Sequence, residues 1–174
     1  MIVSYRDPIY PTEEVEREPL ASLDTCRWLY NRLLEELIKA RESDKTLTTY
    51  DTQNLIPLLK SDNPDLRKVY SKVLQMVNYT LHSNIAGLAA LKRMGQKVGR
   101  LRFKGKSRYN TLSYNQSGFR VDQDHSTLNL SKIGDIKIKI HRKVEGCIKS
   151  VLIKRLGKRW FAIVQAEQET ELLP

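Results

Sequence analysis

The sequence predicts an α+β fold, in which a small antiparallel β-barrel carries an inserted domain of three helices. Through the first half of the chain, apolar residues recur at three- and four-residue steps, which indicates amphipathic helices. From Leu112 onward, apolar and polar residues alternate in short segments separated by turn residues, which indicates strands. Because another strand-like segment precedes the helices, the predicted barrel comprises residues 1–10 and 100–168, and the helical domain comprises residues 11–99.

Residues 1–6 form the first predicted element, a strand rich in β-branched and aromatic side chains. The prolines that follow, Pro8 and Pro11, are expected to end this strand. Thr12 is a suitable N-cap for a long first helix, and the glutamates after it favour the first turn through the helix dipole. Pro19 lies inside this helix, where it predicts a kink or a fresh start.

Two further helices are predicted before the period of the sequence changes. The second runs from about Tyr50 to Lys60. Its buried side is assigned to Leu55, Leu58 and Leu59. The third is expected to open at Asn63 and Pro64, an N-cap followed by a proline at the first helical position, and to run to about Met94. Its apolar stripe comprises Leu66, Tyr70, Val73, Val77, Leu81, Leu88 and Leu91.

The second half of the chain is predicted to form six short strands. They are Thr111–Asn115, Gly118–Val121, Ser126–Leu130, Ile136–His141, Cys147–Leu156 and Arg159–Gln165. Within the fourth of these strands, isoleucine alternates with lysine, so Lys137 and Lys139 are expected on the outer face. Short strands joined by turns at this spacing are typical of a small barrel.

The charge of the protein is distributed unevenly along the chain. The formal net charge is +10, but residues 1–90 hold 11 basic and 13 acidic residues, whereas residues 91–160 hold 19 basic and 4 acidic residues. A near-neutral half joined to a strongly basic half predicts that the basic half binds a polyanion. The affinity for such a partner should fall steeply with salt, because each phosphate contact releases counterions.

The basic half begins with a stretch, residues 100–116, whose composition suits a nucleic-acid surface. It carries arginines and lysines, three aromatic residues, and then a cluster of amides and hydroxyls, and it contains no acidic residue. Basic groups neutralise phosphates, aromatic rings stack on bases, and amides can bond to base edges. A solvated basic loop between a helix and a strand would have a similar composition.

Cysteine, histidine and hydropathy patterns exclude several other classes of protein. Cys26 and Cys147 are far apart and form no CxxC motif, so the sequence predicts no zinc ribbon and a reducing compartment. The three histidines show no metal-ligand spacing. The sequence has no signal-peptide pattern and no run of apolar residues long enough to span a membrane, which predicts no membrane partner.

The order of several short motifs resembles the N-terminal half of the TnpB (OrfB) proteins of prokaryotic transposons, which are related to type V CRISPR effectors. The motifs are Tyr10–Thr12, Cys26–Asn31, Leu47–Tyr50, Leu101–Lys104, Tyr109–Gln116, Leu130–Lys137, Ile148–Leu156 and Lys158–Phe161. In that family the barrel is called the wedge domain, and the inserted helices form a recognition domain. Together they hold a guide RNA and read a short DNA motif beside the target.

The resemblance assigns contact roles to residues whose chemistry fits them. DNA contacts are implied for Tyr50, Asn54, Lys72, Gln75, Tyr114, Asn115 and Gln116. Contacts to RNA or to phosphates are implied for Arg102, Lys104, Lys106, Arg108, Tyr109, Lys137, Lys139 and Arg142. Amides suit base edges, and lysine and arginine suit phosphates. The implied partners are a guide RNA and duplex DNA, and the expected location is the cytoplasm of a prokaryotic cell, in association with the nucleoid.

One departure from the family limits what the chain is expected to do. Family nucleases continue into a RuvC-like domain with three metal-binding acids and a four-cysteine zinc ribbon, and residues 169–174 would be the linker towards it. We therefore expect no catalytic residues, no nuclease activity and no cofactor in this chain, because cleavage needs carboxylates that converge on metal ions. Mg²⁺ and Zn²⁺ are expected only with the C-terminal half.

Three functions remain open on the sequence. The first is a binding module of TnpB type that holds guide RNA and target-adjacent DNA. The second is the non-catalytic half of a split RNA-guided DNA endonuclease, whose RuvC-like half is encoded separately. The third is a sequence-specific DNA-binding repressor that uses a helix N-terminus near Tyr50 without any RNA, as helix-turn-helix proteins do. A ribosomal protein is less favoured because of the long inserted helical domain.

Overall fold

The computed structural model describes residues 1–169, and it confirms the predicted α+β fold class. The helices α1, α2 and α3 comprise Glu13–Glu42, Thr49–Asp62 and Ser71–Arg93, and a 3₁₀ turn, Pro64–Lys68, lies between α2 and α3. The strands β1 to β7 comprise Ile2–Tyr10, Thr111–Asn115, Phe119–Asp122, Thr127–Leu130, Gly134–Ile138, Cys147–Leu156 and Arg159–Glu167. The strand predictions from Thr111 onward are confirmed to within a few residues at each end.

The described residues divide into two compact units. The barrel unit comprises Met1–Leu23 and the residues from Asn110 onward, and the helical unit comprises Asp24–Tyr109. The predicted domain boundaries at residues 10/11 and 99/100 and the linker at residues 169–174 stay predictions, and all but the first residue of that linker lie outside the described residues.

The barrel unit is built on a seven-stranded antiparallel sheet that nearly closes into a barrel. Its strand order is β2-β6-β7-β1-β5-β4-β3. Strand β1 lies in the middle of this order because it pairs with β7 over Ile2–Ile9 and with β5 at Ile9 and Tyr10. Alternate residues of the strands point inward and form the core, among them Leu112, Leu128, Leu130, Ile136, Ile138, Val151, Ile153, Trp160, Ala162 and Val164.

Strand β1 continues past Pro8, so the prediction that the prolines end it at residue 6 is wrong. Pro8 is aligned with Phe161 of β7, and its carbonyl accepts a bond from the Lys139 backbone N–H at 3.0 Å. The N–H and C=O of one strand residue point to the same side. The missing N–H of Pro8 therefore lies on the side of β5, where the β1 ladder comprises only Ile9 and Tyr10, and no bond to β7 is lost.

The helical unit buries one face of each helix. Helix α1 contributes Cys26, Leu29, Tyr30, Leu33 and Leu34 to its core, and α3 contributes Val73, Leu74, Val77, Asn78 and Leu81. Helix α1 is continuous through Pro19, so the predicted fresh start does not occur. In α2 the buried residues are Thr52, Ile56 and Leu59, whereas Leu58, predicted to be buried, is 68% exposed. The true stripe follows steps of four and three residues.

Helix α3 begins at Ser71, later than predicted. The Asn63–Pro64 pair opens a separate 3₁₀ turn, in which the Asn63 side chain accepts a bond from the Asp65 N–H at 3.1 Å. The chain then becomes extended at Val69, which breaks the helical pattern. Leu66 and Val69 are both buried, so the turn adds apolar side chains to the core without continuing the helix.

Candidate nucleic-acid interface

The basic segment, residues 100–108, exposes a set of unpaired cationic side chains. It has no regular secondary structure, and Arg100, Arg102, Lys106 and Arg108 are exposed. None of these four side chains forms an ion pair with a carboxylate among residues 1–169. Their charges are therefore available to a polyanion, as the sequence predicted.

The backbone of the basic segment is held in place by Asn31 of α1. The Asn31 side-chain amide donates to the Lys104 carbonyl at 2.9 Å, and its carbonyl accepts from the Lys104 N–H at 2.7 Å. This pair of bonds satisfies the backbone of Lys104 as a neighbouring strand would. The Lys104 ammonium lies 5.5 Å from the centre of the Tyr30 ring, within the range of a cation–π contact. Arg27 Nη1 also donates to the Lys104 carbonyl, at 3.5 Å. The segment is thus tied to α1 at Lys104, while Arg100, Arg102, Lys106 and Arg108 stay exposed.

Tyr109 secures the end of the basic segment. Its ring lies 6.1 Å from that of Tyr30 at an angle of 56°, a tilted aromatic pair. Burial raises the pKa of the Tyr109 hydroxyl, with smaller contributions from Cys26 and Tyr30. The Tyr109 hydroxyl is therefore neutral, and the Tyr109 ring packs against Tyr30. The assignment of Tyr109 as an RNA contact stays a prediction.

The first turn of α2 presents two of the predicted DNA contacts to solvent. Thr48 and Asp51 form a capping box: the Thr48 hydroxyl accepts from the Asp51 N–H at 3.2 Å, and the Asp51 carboxylate accepts from the Thr48 N–H at 2.8 Å. These bonds lower the pKa of Asp51. Tyr50 is 73% exposed and Asn54 is exposed as well. An ordered helix N-terminus with outward polar side chains is suited to reading a groove.

Lys72 and Gln75 of α3 are half-buried, in the same unit as Tyr50 and Asn54. Helix α3 is bonded to the first turn of α2, since the Asn78 amide donates to the Thr49 carbonyl at 2.9 Å. The structure therefore places Tyr50, Asn54, Lys72 and Gln75 on two helices that are linked by a hydrogen bond. Their role in DNA binding stays a prediction.

One of the predicted DNA contacts in the barrel unit does not fit its position. Tyr114 is only 2% exposed, and its hydroxyl donates to the Ser131 carbonyl at 3.1 Å. Its ring is packed in the barrel core and is unavailable for contact with a base. The alternation of Leu112 and Tyr114 along β2 carried this signal. The neighbouring Asn115 is half-buried and Gln116 is exposed, so both remain candidates.

The predicted phosphate contacts of the barrel unit lie on the outside of β5 and in the loop after it. Lys137 and Lys139 are exposed, as the alternation with isoleucine predicted. Arg142 is exposed too, and its guanidinium lies 4.7 Å from the centre of the Tyr5 ring. Lys143 beside it is a further exposed cation that the sequence interpretation did not single out.

The loop that carries Arg142 is fixed by polar contacts that the sequence did not reveal. The buried Asp7 carboxylate accepts from the His141 N–H at 3.1 Å and lies 3.0 Å from His141 Nδ1. The Gln123 side chain bonds both the N–H and the carbonyl of Val144, at 2.8 and 3.2 Å. Because partners more than a hundred residues apart take part, only the fold could show this arrangement.

An open depression of about 470 Å³ lies beside this loop, lined by residues 120–125 and Lys143. Its charges are mixed, since Asp122 and Asp124 accompany the basic side chains. Bonds from His125 lower the pKa of Asp122, which keeps that carboxylate ionised. We therefore do not assign the depression as a phosphate site. Among residues 1–169, no cluster of three or more His, Cys, Asp or Glu side chains could hold a metal ion.

Comparison with known proteins agrees with the resemblance seen in the sequence. Residues 1–46, which include β1 and α1, match the model of the helix-turn-helix domain of OrfB from IS605. InsQ of Escherichia coli (strain K12), which is named as an RNA-guided DNA endonuclease, is 31% identical over 68 residues. Over its first 46 residues this chain is similar to the OrfB (TnpB) proteins. The aligned residues cover 39% of this chain and 17% of InsQ.

Each helix within residues 1–169 is too short or too polar to cross a membrane.

Proposed function

We propose that this TnpB-type chain is a nucleic-acid-binding module that holds a guide RNA and contacts duplex DNA beside the target. The observation that carries the proposal is the basic segment, whose backbone is tied to Asn31 while Arg100, Arg102, Lys106 and Arg108 stay exposed. A fixed array of unpaired cations binds a phosphate backbone with little loss of chain entropy. Residues 91–109 hold eight basic residues and no acidic one, which makes this the strongest local charge of the chain.

The residue types indicate which side chains would contact the guide RNA and which would contact the DNA. Arg102, Lys104, Lys106 and Arg108 would bind phosphates of the guide RNA, and so would Lys137, Lys139 and Arg142 of the barrel unit. Tyr50, Asn54, Lys72, Gln75, Asn115 and Gln116 would contact the target-adjacent DNA. Asparagine and glutamine form paired bonds with adenine in the major groove, whereas exposed lysine and arginine bind phosphates of any sequence. Such a protein would be found with the nucleoid of a prokaryotic cell.

A catalytic partner belongs to the same proposal: a RuvC-like half, with its Mg²⁺ and Zn²⁺, would supply the cleavage chemistry to the nucleic acid that this chain holds. Magnesium-dependent cleavage of DNA that follows addition of such a half, programmed by the bound RNA, would support this partnership.

A second candidate function, a repressor without guide RNA, is favoured by the exposed first turn of α2 alone. The two candidates differ in the RNA that the protein carries. We expect protein isolated from its own cells to contain one dominant RNA species, identified by sequencing. Tight binding to duplex DNA by protein free of RNA would favour the repressor instead.

The binding proposal is tested by the salt dependence of affinity for the copurified RNA and for a fixed 20-base-pair duplex. We compare the wild-type chain with the variant Arg102→Ala/Lys104→Ala/Lys106→Ala/Arg108→Ala, in which four cations of the basic segment are removed. The slope of log affinity against log salt for RNA should become less steep by roughly 3, since each single-strand phosphate contact contributes about 0.7.

The matched control removes four exposed cations of the helical unit that lie outside the basic segment. Its substitutions are Arg41→Ala, Lys45→Ala, Arg67→Ala and Lys68→Ala. The two variants have the same net charge, so the control should leave the slope nearly unchanged. An equal loss in both would mean that only net charge matters, and it would contradict the proposed interface.

A further inference from the structure

A buried polar network joins the first turn of α2 to α3. Thr52 and Asn78 are both 0% exposed. The Thr52 hydroxyl lies 2.7 Å from Asn78 Oδ1 and 2.8 Å from His82 Nε2. The Asn78 amide also donates to the Thr49 carbonyl at 2.9 Å. The network therefore lies directly beneath the turn that exposes Tyr50 and Asn54.

The chemistry of the three side chains fixes the direction of each bond. The Thr52 hydroxyl has three acceptors within reach: Asn78 Oδ1 at 2.7 Å and the Thr48 and Thr49 carbonyls of its own helix at 3.2 and 3.1 Å. Asn78 Oδ1 can only accept, so it is satisfied when the Thr52 hydroxyl donates its one proton there. The hydroxyl oxygen must then accept from His82, whose Nε2 carries the proton of the neutral ring. Burial lowers the pKa of His82, which favours this neutral form. All three groups are satisfied in one arrangement only, so a shift of α2 along α3 would break every bond.

Stability alone does not explain a buried network of this kind. A hydrogen-bonded polar pair in a core can often be replaced by apolar groups of similar shape at little cost, because its desolvation offsets most of the bond energy. What such a pair supplies is a unique geometry. Here the geometry concerns a helix N-terminus whose own backbone is ordered by the Thr48–Asp51 capping box, so what the network adds is the position of that turn on α3.

We propose that Thr52, Asn78 and His82 are positioning residues that hold the first turn of α2 in the one orientation in which Tyr50 and Asn54 read base edges. The inference rests on the proposed function. It deepens that function because it names the source of sequence discrimination: a rigid turn, set by side chains that never touch the DNA. A turn free to rock would keep its phosphate contacts and lose base contacts, since the latter depend on direction.

The first test concerns the protein without any nucleic acid. The variant Thr52→Val/Asn78→Leu removes the network with side chains of similar shape, and Thr80→Val removes an exposed hydroxyl of α3 that bonds only to the Met76 carbonyl. Hydrogen exchange of the peptide that spans residues 48–54 should become roughly tenfold faster in the double variant. It should be unchanged in the control. Unchanged exchange in the double variant would overturn the inference.

The second test selects bound duplexes from a 20-base-pair library with random sequence. The wild-type chain should enrich a short motif, and the double variant should lose that enrichment by on the order of tenfold, since one good base contact contributes discrimination of that size. Affinity for a fixed nonspecific duplex, and its salt slope, should stay the same. Equal enrichment by both proteins would overturn the inference and leave the proposed function intact.

Single variants of Thr52 keep the test decisive if the double variant does not fold. Thr52→Ser keeps the hydroxyl and should keep motif enrichment, whereas Thr52→Val has the same shape without the hydroxyl and should lose it. Loss in both variants would point to packing alone and overturn the network. If the wild-type chain itself binds no duplex, the DNA part of the proposed function fails, and the positioning role fails with it.

Discussion

The barrel unit and the helical unit place their polar side chains by different rules. In β5 and the residue after it the alternation is strict: Ile136 and Ile138 are buried, and Lys137 and Lys139 are exposed. In α2 the most buried side chain is a threonine, while the apolar Leu58 faces solvent. Which side chains of a strand are exposed can therefore be inferred from its period of two. Which polar side chains of a helix in the helical unit are buried depends on a hydrogen-bond partner that periodicity does not reveal.

The difference has an energetic side. The barrel core is held by burial of apolar area, which contributes in proportion to the atoms that are buried. The first turns of α2 and the basic segment are held by a few amide and hydroxyl groups, each of which contributes little net stability but fixes one geometry. We therefore expect substitutions in the barrel core to act on stability, and substitutions at the polar anchors to act on order and specificity.

The largest effect on stability is expected for Ile138→Ala, because this side chain is 1% exposed and its truncation leaves a cavity. The free energy of unfolding should fall by about 2–5 kcal/mol. Urea unfolding in a Trp28→Phe background measures it, since Trp160 then reports on the barrel unit alone. Lys137→Ala, the adjacent exposed residue, should stay within about 0.5 kcal/mol. Similar losses for both variants would refute the assignment of faces.

A smaller loss is expected for Asn31→Ala, which removes both bonds between Asn31 and the Lys104 backbone and leaves the Lys104 carbonyl with the longer bond from Arg27 Nη1 at 3.5 Å. The backbone groups left behind should cost about 1–3 kcal/mol, and the basic segment should open locally. Trypsin should then cleave after residues 102–108 roughly tenfold faster than in the wild-type chain. Asn54→Ala, at an exposed asparagine of the same unit, is the control. Equal cleavage of the two variants would show that Asn31 is not the anchor.

The sequence predicted most of the barrel because its signals are local. The strand ends from Thr111 onward, the inward isoleucines and the outward lysines all follow from alternation and turn residues. Pro8 misled because its missing N–H removes a single bond on the side of β5, where its carbonyl still accepts from Lys139, and its pairing with β7 is intact. Pairing of this kind is not visible in a sequence. Tyr114 was assigned to DNA because of the motif around it, although its own alternation with Leu112 placed it in the core.

The candidate site could be predicted only in part, for a physical reason. The exposure of the basic segment and of Tyr50 follows from composition. The anchors beneath them join residues that are distant in sequence, as Asn31 and Lys104 or Thr52 and Asn78 are. Asparagine and threonine at helical positions are usually solvated, so nothing local marks the ones that are buried in pairs.

A still smaller effect is expected from pH, and it should be confined to the helical unit. Burial places the pKa of His82 below its ordinary value of 6.5. Well above pH 6.5 the ring is neutral in both the folded and the unfolded state and contributes no pH dependence. As the pH falls below 6.5, the unfolded chain binds the proton before the folded chain does, so the helical unit loses stability.

Urea unfolding from pH 8 to pH 5 in a Trp160→Phe background, where Trp28 reports on the helical unit, measures this loss. His82→Gln keeps a donor for Thr52 and removes the titration, so it should flatten the curve. Asp51 titrates below this window, because its hydrogen bonds lower its pKa from 3.8. A slope that survives in His82→Gln would assign the effect to another group.

The last contrast between the units concerns the reactivity of their two thiols. Modification of the exposed thiol is expected to leave the interactions of the fold unchanged. Cys26 of α1 is buried, which raises its pKa to about 12, whereas Cys147 at the start of β6 is exposed. Since the thiolate is the reactive form, a disulfide reagent at pH 8 should modify one thiol per folded chain quickly and the second only after unfolding. Cys147→Ser should abolish the fast reaction.

Cys26 can then react only when the helical unit opens, so its rate of modification measures that opening. Thr52→Val/Asn78→Leu should leave this rate nearly unchanged if the network orders one turn and does not hold the whole unit together.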